Sequence, residues 1–152
     1  MNPSETGENR DHGIDALLPP EMAVKAEEIG VAKVRRDTLS LLTLAVLAGA
    51  FIAFGALFST TVVAGTAGVW PWGVVRLLAG LAFSLGLILV VVGGAELFTG
   101  NNLMVMAWAG RKITLRELMR AWVLVYIGNF AGAVGTAVLV FLSGQYRFGG
   151  GA

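Results

Sequence analysis

The chain has 152 residues, of which 56% are hydrophobic and only 14% are charged, and its formal net charge is +1. Thirteen of its 21 charged residues (11 basic and 10 acidic) lie in the first 37 positions. Residues 38–152 are therefore too poor in charge for a soluble enzyme and too apolar for intrinsic disorder, and the near-neutral charge gives no reason to expect a nucleic-acid partner.

The chain begins with a polar segment of mixed charge, residues 1–18, which predicts a disordered tail. A Pro-Pro-Glu sequence then opens a predicted helix over residues 19–36. Met22, Ala26 and Ile29 share one face of this helix. That modest amphipathicity is consistent with a helix at a membrane surface, and a solvated linker helix is an equally open interpretation.

The first predicted transmembrane span covers residues 38–58, which are uncharged and long enough for about 30 Å of hydrocarbon. Ala45, Gly49 and Ala53 form a row of small residues, which favours close packing against another helix. The uncharged segment 59–75 follows and contains a Trp-Pro-Trp sequence typical of a membrane interface.

The second apolar stretch, residues 77–109, is too long for one straight span, because a continuous helix would measure about 50 Å. It contains a Gly-Gly pair and the polar sequence Thr-Gly-Asn-Asn. We predict a helix over 77–93, an irregular segment near 94–102 and a short helix over 103–109. Irregular backbone at membrane depth is tolerated only inside protein or along a cavity, so this break points to a transport site.

The third predicted span covers residues 121–142 and follows a basic loop at 110–120. It is expected to complete a three-span unit over residues 37–147, and residues 148–152 form a short tail. Gly128, Gly132 and Thr136 form the small-residue face of this span, and Asn129 is its polar residue.

The positions of the basic residues predict the orientation of the chain. The N-terminal segment holds five Lys and Arg residues, the 110–120 loop holds four, and segment 59–75 holds none. The positive-inside rule therefore predicts a multi-pass protein of the cytoplasmic membrane with its N-terminus in the cytoplasm and its C-terminus outside. A second copy following an odd number of spans would be inverted.

Several sequence stretches resemble the first half of the formate/nitrite transporter family. The most specific is Gly-Ala-Glu-Leu-Phe-Thr-Gly at 94–100, and the others are 18–23, 48–53, 80–87 and 128–133. The resemblance implies an all-α integral membrane fold, in which three spans with a broken second helix form one inverted-repeat half of an aquaporin-like six-span channel. It also implies pentamers with one pore per subunit. These pores pass small monovalent anions such as formate or nitrite, sometimes with a proton, and need no cofactor.

By that resemblance, five residues would line or constrict the pore: Phe83, Leu87, Leu97, Phe98 and Thr99. Phe83 and Leu87 share one helix face because they are four residues apart. Spacing alone would favour ordinary packing for the four apolar side chains, and Thr99 could also cap the short helix that follows.

Glu96 and Asn129 are the polar residues expected to have structural roles in the membrane. A carboxylate facing the path of an anion would repel it, so we expect Glu96 to accept hydrogen bonds from backbone N–H groups freed by the break. A proton relay through Glu96 is the alternative. Asn129 is expected to hydrogen-bond between helices, with pore contact as its alternative.

The chain departs from the family by stopping after one repeat, so the second broken helix and its pore-facing histidine are missing. His12 cannot replace that histidine because it lies in the tail. The chain is then a fragment, one part of a split pore or a non-transporting remnant. A membrane scaffold is the alternative function. An enzyme is disfavoured because the sequence has no cysteine, metal-ligand cluster or nucleophile with a base.

The predicted orientation can be tested by single-cysteine labelling, because the chain has no cysteine of its own. A thiol reagent that does not cross membranes should label a cysteine at Thr66 on intact cells and spare a cysteine at Lys112. Labelling at position 112 alone would contradict the orientation.

Overall fold

The computed structural model describes residues 18–150, so the predicted disordered tail lies outside the described part except for Leu18. Helices make up all of the regular structure in this part, and it contains no β-strand. The helices are α1 (Pro19–Val34), α2 (Thr38–Val63), α3 (Trp72–Val92), α4 (Phe98–Asn101), α5 (Met104–Ala109) and α6 (Leu115–Ser143), followed by a 3-10 helix (Gln145–Gly150).

Helix α1 ends at Val34, two residues before the predicted end at position 36. The reason lies in the next helix, because Asp37 is its N-cap and has an extended backbone (φ −64°, ψ 154°). The Asp37 carboxylate accepts a hydrogen bond of 2.8 Å from the Ser40 N–H. This bond lowers the pKa of Asp37 below its usual value and fixes the corner between α1 and α2.

Three helices are long and apolar enough to cross a membrane: α2, α3 and α6, with 26, 21 and 29 residues. All three are longer than predicted, because helical backbone continues beyond the apolar core. Pro71 is the N-cap of α3, which begins at Trp72 instead of residue 77. Thr114 and Glu117 form a capping box that starts α6 at Leu115 instead of residue 121.

Helix α2 packs against both α3 and α6 and is therefore the central helix of the bundle. Ala45 and Gly49 of the predicted row of small residues are buried, and so are Gly128, Gly132 and Thr136 on α6. A Cβ atom on Gly132 would overlap the backbone carbonyl oxygen of Val46. The small residues thus let the backbones of α2 and α6 approach closely.

Replacing Gly132 with alanine should separate α2 from α6 and destabilise the bundle by about 1–3 kcal/mol. Gly135→Ala is the matched control on the same helix, because a Cβ atom at Gly135 has no neighbour within 4 Å. Thermal unfolding in detergent should show a loss for Gly132→Ala only. Equal melting temperatures for the two variants would contradict this packing.

Candidate functional site at the broken helix

The break follows α3 directly and starts with two glycines. Gly93 is the C-cap of α3, and Gly94 has a φ of +60°, a left-handed conformation that favours glycine. Residues 95–97 then have no regular secondary structure, and the backbone is extended at Leu97. The predicted irregular segment 94–102 was too long, because Phe98–Asn101 closes one helical turn within it. The following helix begins at Met104, one residue later than predicted.

The backbone N–H groups that the break frees are bonded to neighbouring elements. The Glu96 N–H donates to the Leu44 carbonyl on α2 at 3.1 Å, and the Ala95 N–H donates to the Val90 carbonyl at 3.0 Å. The Phe98 N–H donates to the side-chain oxygen of Asn129 at 2.8 Å. Leu44 lies six residues into α2, about 9 Å from its start. The non-helical backbone therefore lies inside the apolar bundle and is satisfied by protein groups.

Asn129 on α6 connects three elements through its side-chain amide. Its nitrogen donates to the Ala45 carbonyl at 2.8 Å and to the Glu96 carbonyl at 2.9 Å. Its oxygen accepts the Phe98 N–H described above. One amide thus holds both sides of the break against α2 and α6, and these contacts use both of its polar atoms.

The Glu96 side chain is 2% exposed and does not bind the partners that the sequence predicted. One carboxylate oxygen accepts a hydrogen bond from the Lys33 ammonium, and the other accepts one from the Arg36 guanidinium, each at 2.7 Å. The predicted role as acceptor for freed backbone N–H groups is wrong. The reason is that the Leu44 carbonyl on α2, the Val90 carbonyl on α3 and the Asn129 amide already accept N–H groups of the break, while a buried carboxylate requires cations.

Asn101 completes what we call the Glu96 cluster, which consists of Glu96, Lys33, Arg36 and Asn101. Its side chain is fully buried, and its oxygen accepts a second hydrogen bond from Lys33 at 2.8 Å. Its carbonyl accepts the Trp122 indole N–H at 3.0 Å. Its amide nitrogen is buried without a hydrogen-bond partner among the described residues.

Sequence reasoning did not identify Lys33, Arg36 or Asn101 as members of a site. A usable signal was present, because Lys33 and Arg36 lie three residues apart at the end of α1 and Glu96 is the sole acid between Thr38 and Arg116. A lone acid at membrane depth requires a cation from elsewhere in the chain.

The five residues expected at the pore lie in two places. Phe83 and Leu87 lie one turn apart on α3 and are 43% and 52% exposed. Leu97 and Phe98 are half-buried, and Thr99 is exposed. The N-cap of α5, the short helix that follows, is Leu103, and Thr99 lies within α4, so Thr99 is not the capping residue that the sequence left open as an alternative.

Phe98 also packs within the bundle. Its ring meets those of Trp122 and Tyr126 on α6 edge to face, with centroid distances of 6.2 and 5.6 Å. This contact holds α4 against α6 next to the Asn129 hydrogen bond. The Phe98 side chain therefore packs between helices, which is the role that spacing alone favoured.

A further ion pair links α1 to the loop between α5 and α6. The Lys112 ammonium lies 2.5 Å from the Glu27 carboxylate, and α1 packs along α5. Within residues 18–150, no group of three or more His, Cys, Asp or Glu side chains could hold a metal ion.

Comparison with known proteins gives consistent results. Residues 20–151 match the family described as formate/nitrite transporter. The chain is 45% identical over 141 residues to the formate channel FocA of Escherichia coli K12, covering 93% of this chain and 49% of that protein. It is 41% identical to FocA of Haemophilus influenzae, covering 91% of this chain and 48% of that one.

Two solved structures resemble the fold. A pentameric formate channel with formate bound aligns with a TM-score of 0.69 and 42% identity, over 75% of this chain and 44% of that chain. An FNT family ion channel aligns with a TM-score of 0.73 and 22% identity, over 82% and 50%, and supports the fold alone.

The chain spans about half the length of these relatives. The family match covers most of the chain, including the break, the Glu96 cluster and Asn129. The chain therefore belongs to the formate/nitrite transporter family.

Proposed function

We propose that this three-span repeat forms one half of a pore for small monovalent anions of the formate and nitrite class. The observation that carries the proposal is the break after α3, where non-helical backbone lies among apolar helices and is hydrogen-bonded to α2 and α6. A scaffold made only of packed helices would need no such break.

The names of the relatives support the substrate and the assembly. The FocA proteins are named formate channels, and one similar structure is named a pentameric formate channel with formate bound. We propose the same substrate class and a pentamer for this chain. None of these relatives is named as an enzyme, and we assign no reaction to the site.

We propose that the anion passes two apolar constrictions, one along α3 and one at the break. Phe83 and Leu87 would narrow the path along α3, and Leu97 and Phe98 would narrow it at the break. Apolar walls exclude bulk water, so a hydrogen-bond donor is needed to replace part of the anion's hydration. The exposed hydroxyl of Thr99 would supply that donor.

The net charge of the Glu96 cluster is an argument for an anion as the transported ion. One carboxylate against two cations leaves a formal charge of +1. Each carboxylate oxygen accepts a hydrogen bond from one of these cations, so both oxygens take part in holding the cluster together. We therefore propose a structural role for Glu96 in place of a proton relay. The chain would lie in the cytoplasmic membrane, with α1 on the cytoplasmic side.

Anion uptake into liposomes tests the role of Thr99, with the chain reconstituted beside a second inverted repeat of the family. Thr99→Val keeps the side-chain shape and removes the donor, so formate uptake should fall by about tenfold or more. Thr43→Val is the matched control, because the Thr43 hydroxyl bonds the Leu39 carbonyl within α2.

Liposomes that receive the chain without a second repeat should show background uptake, because three spans close half of a pore wall. Equal uptake by the two threonine variants would contradict the role of Thr99. Saturable uptake from the three-span repeat alone would contradict the half-pore.

A further inference from the structure

The outer ends of α2 and α3, with the segment that connects them, line an open cavity of about 550 Å³. Its lining combines hydroxyls of Thr60 and Thr66 with the rings of Trp70 and Trp72 and the side chain of Arg76. None of these residues belongs to the Glu96 cluster or to the residues proposed to line the pore. We call it the outer cavity.

The depth of the outer cavity is set by the length of α2. A hydrocarbon core of about 30 Å is crossed by about 20 residues of helix. Counted from Thr38, that thickness ends near Phe58, and the cavity begins at Thr60. The cavity therefore lies at the level of the lipid headgroups on the side opposite α1.

Arg76 is the sole charged residue between Thr38 and Ala95. Its guanidinium lies over the Trp72 ring, 5.5 Å from the ring centroid, and the described residues offer it no acidic partner. A guanidinium is always charged and presents several N–H donors, a geometry that fits a phosphate. The cavity thus holds a cation that has no acidic partner among residues 18–150.

Two further features favour a lipid as the source of that phosphate. Trp70 and Trp72 are 50% and 75% exposed, and tryptophan rings at this depth lie among lipid headgroups. Helix α3 begins at Trp72, so its first backbone N–H groups and its positive dipole end lie at the same level.

We propose that the outer cavity binds the headgroup phosphate of an anionic phospholipid of the outer leaflet. Arg76 contacts the phosphate, Trp72 holds the guanidinium in place, and the exposed tryptophan rings pack against the lipid. An anionic lipid bound here would fix the outer ends of α2 and α3 against each other.

Native mass spectrometry of the detergent-solubilised chain with phosphatidylglycerol tests this site. Arg76→Gln should weaken phosphatidylglycerol binding about fivefold, the equivalent of about 1 kcal/mol per cation at an anionic surface. Arg76→Lys should retain more binding than Arg76→Gln, because it keeps the charge. Phosphatidylcholine, which has no net charge, should dissociate equally readily from the unchanged chain, Arg76→Gln and Arg76→Lys.

Arg147→Gln is the matched control. Arg147 also lies 5.5 Å from an aromatic ring centroid, that of Tyr146, yet it lines none of the described cavities. Its replacement should leave phosphatidylglycerol binding unchanged. Ala79→Leu provides a second variant that keeps Arg76 and fills part of the cavity, and it should also weaken binding.

Equal loss from Arg76→Gln and Arg147→Gln, or no loss from Arg76→Gln, would overturn the proposal. Displacement of phosphatidylglycerol by excess inorganic phosphate would overturn the lipid as ligand and favour Arg76 as an attractor of soluble anions. Retention in excess phosphate, together with loss in Arg76→Gln, would support it.

Discussion

Backbone N–H groups that leave a helix at membrane depth have no water to bond, and each unpaired group costs several kcal/mol. The segment after α3 is subject to this constraint, and the arrangement of the bundle follows from it. The Leu44 carbonyl on α2 and the Asn129 amide on α6 accept its N–H groups. Asn129 can also reach Ala45 because small residues bring α2 and α6 close together.

The same constraint explains why α1 is part of the folded repeat. The break places the Glu96 carboxylate among apolar helices, where an unpaired charge would be strongly unfavourable. Its two cations come from the end of α1, whose position Asp37 fixes by starting α2. The Glu27–Lys112 pair links the other part of α1 to the loop after α5. Helix α1 and the residues that follow it therefore supply the cations that stabilise the carboxylate buried at the break.

The lengths of the apolar stretches and the Gly-Gly pair at 93–94 were sufficient to predict three spans and a broken second helix, since both features are local in the sequence. Helix ends were predicted less well, because the capping residues Pro71 and Thr114 extend helices beyond the apolar stretch. The partners of Glu96 could not be read from spacing. Lys33 is 63 residues away, and only the packing of α1 against α5 brings it to the carboxylate.

The contacts of Asn101 also depend on residues that are distant in the sequence. The sequence marked a polar interruption at this place, which is typical of irregular backbone. The structure instead buries Asn101 in a helical turn beside Lys33. Local polarity thus located the site, while long-range contacts decided which of its residues are joined.

A double-mutant cycle on Glu96 and Lys33 measures how strongly the cations at the end of α1 hold the buried carboxylate. Free energies of unfolding in detergent would be measured for Glu96→Gln, Lys33→Met and the double variant, with Lys112→Met as a control for a more exposed pair. Each of the two single changes in the cluster should cost more than the control, because Lys33→Met leaves the buried Glu96 carboxylate with Arg36 alone, and Glu96→Gln leaves both cations without their shared carboxylate. The control should cost about 1 kcal/mol or less. The double variant should lose clearly less stability than the sum of the losses of the two single variants. Additive losses, or losses no larger than that of Lys112→Met, would contradict it.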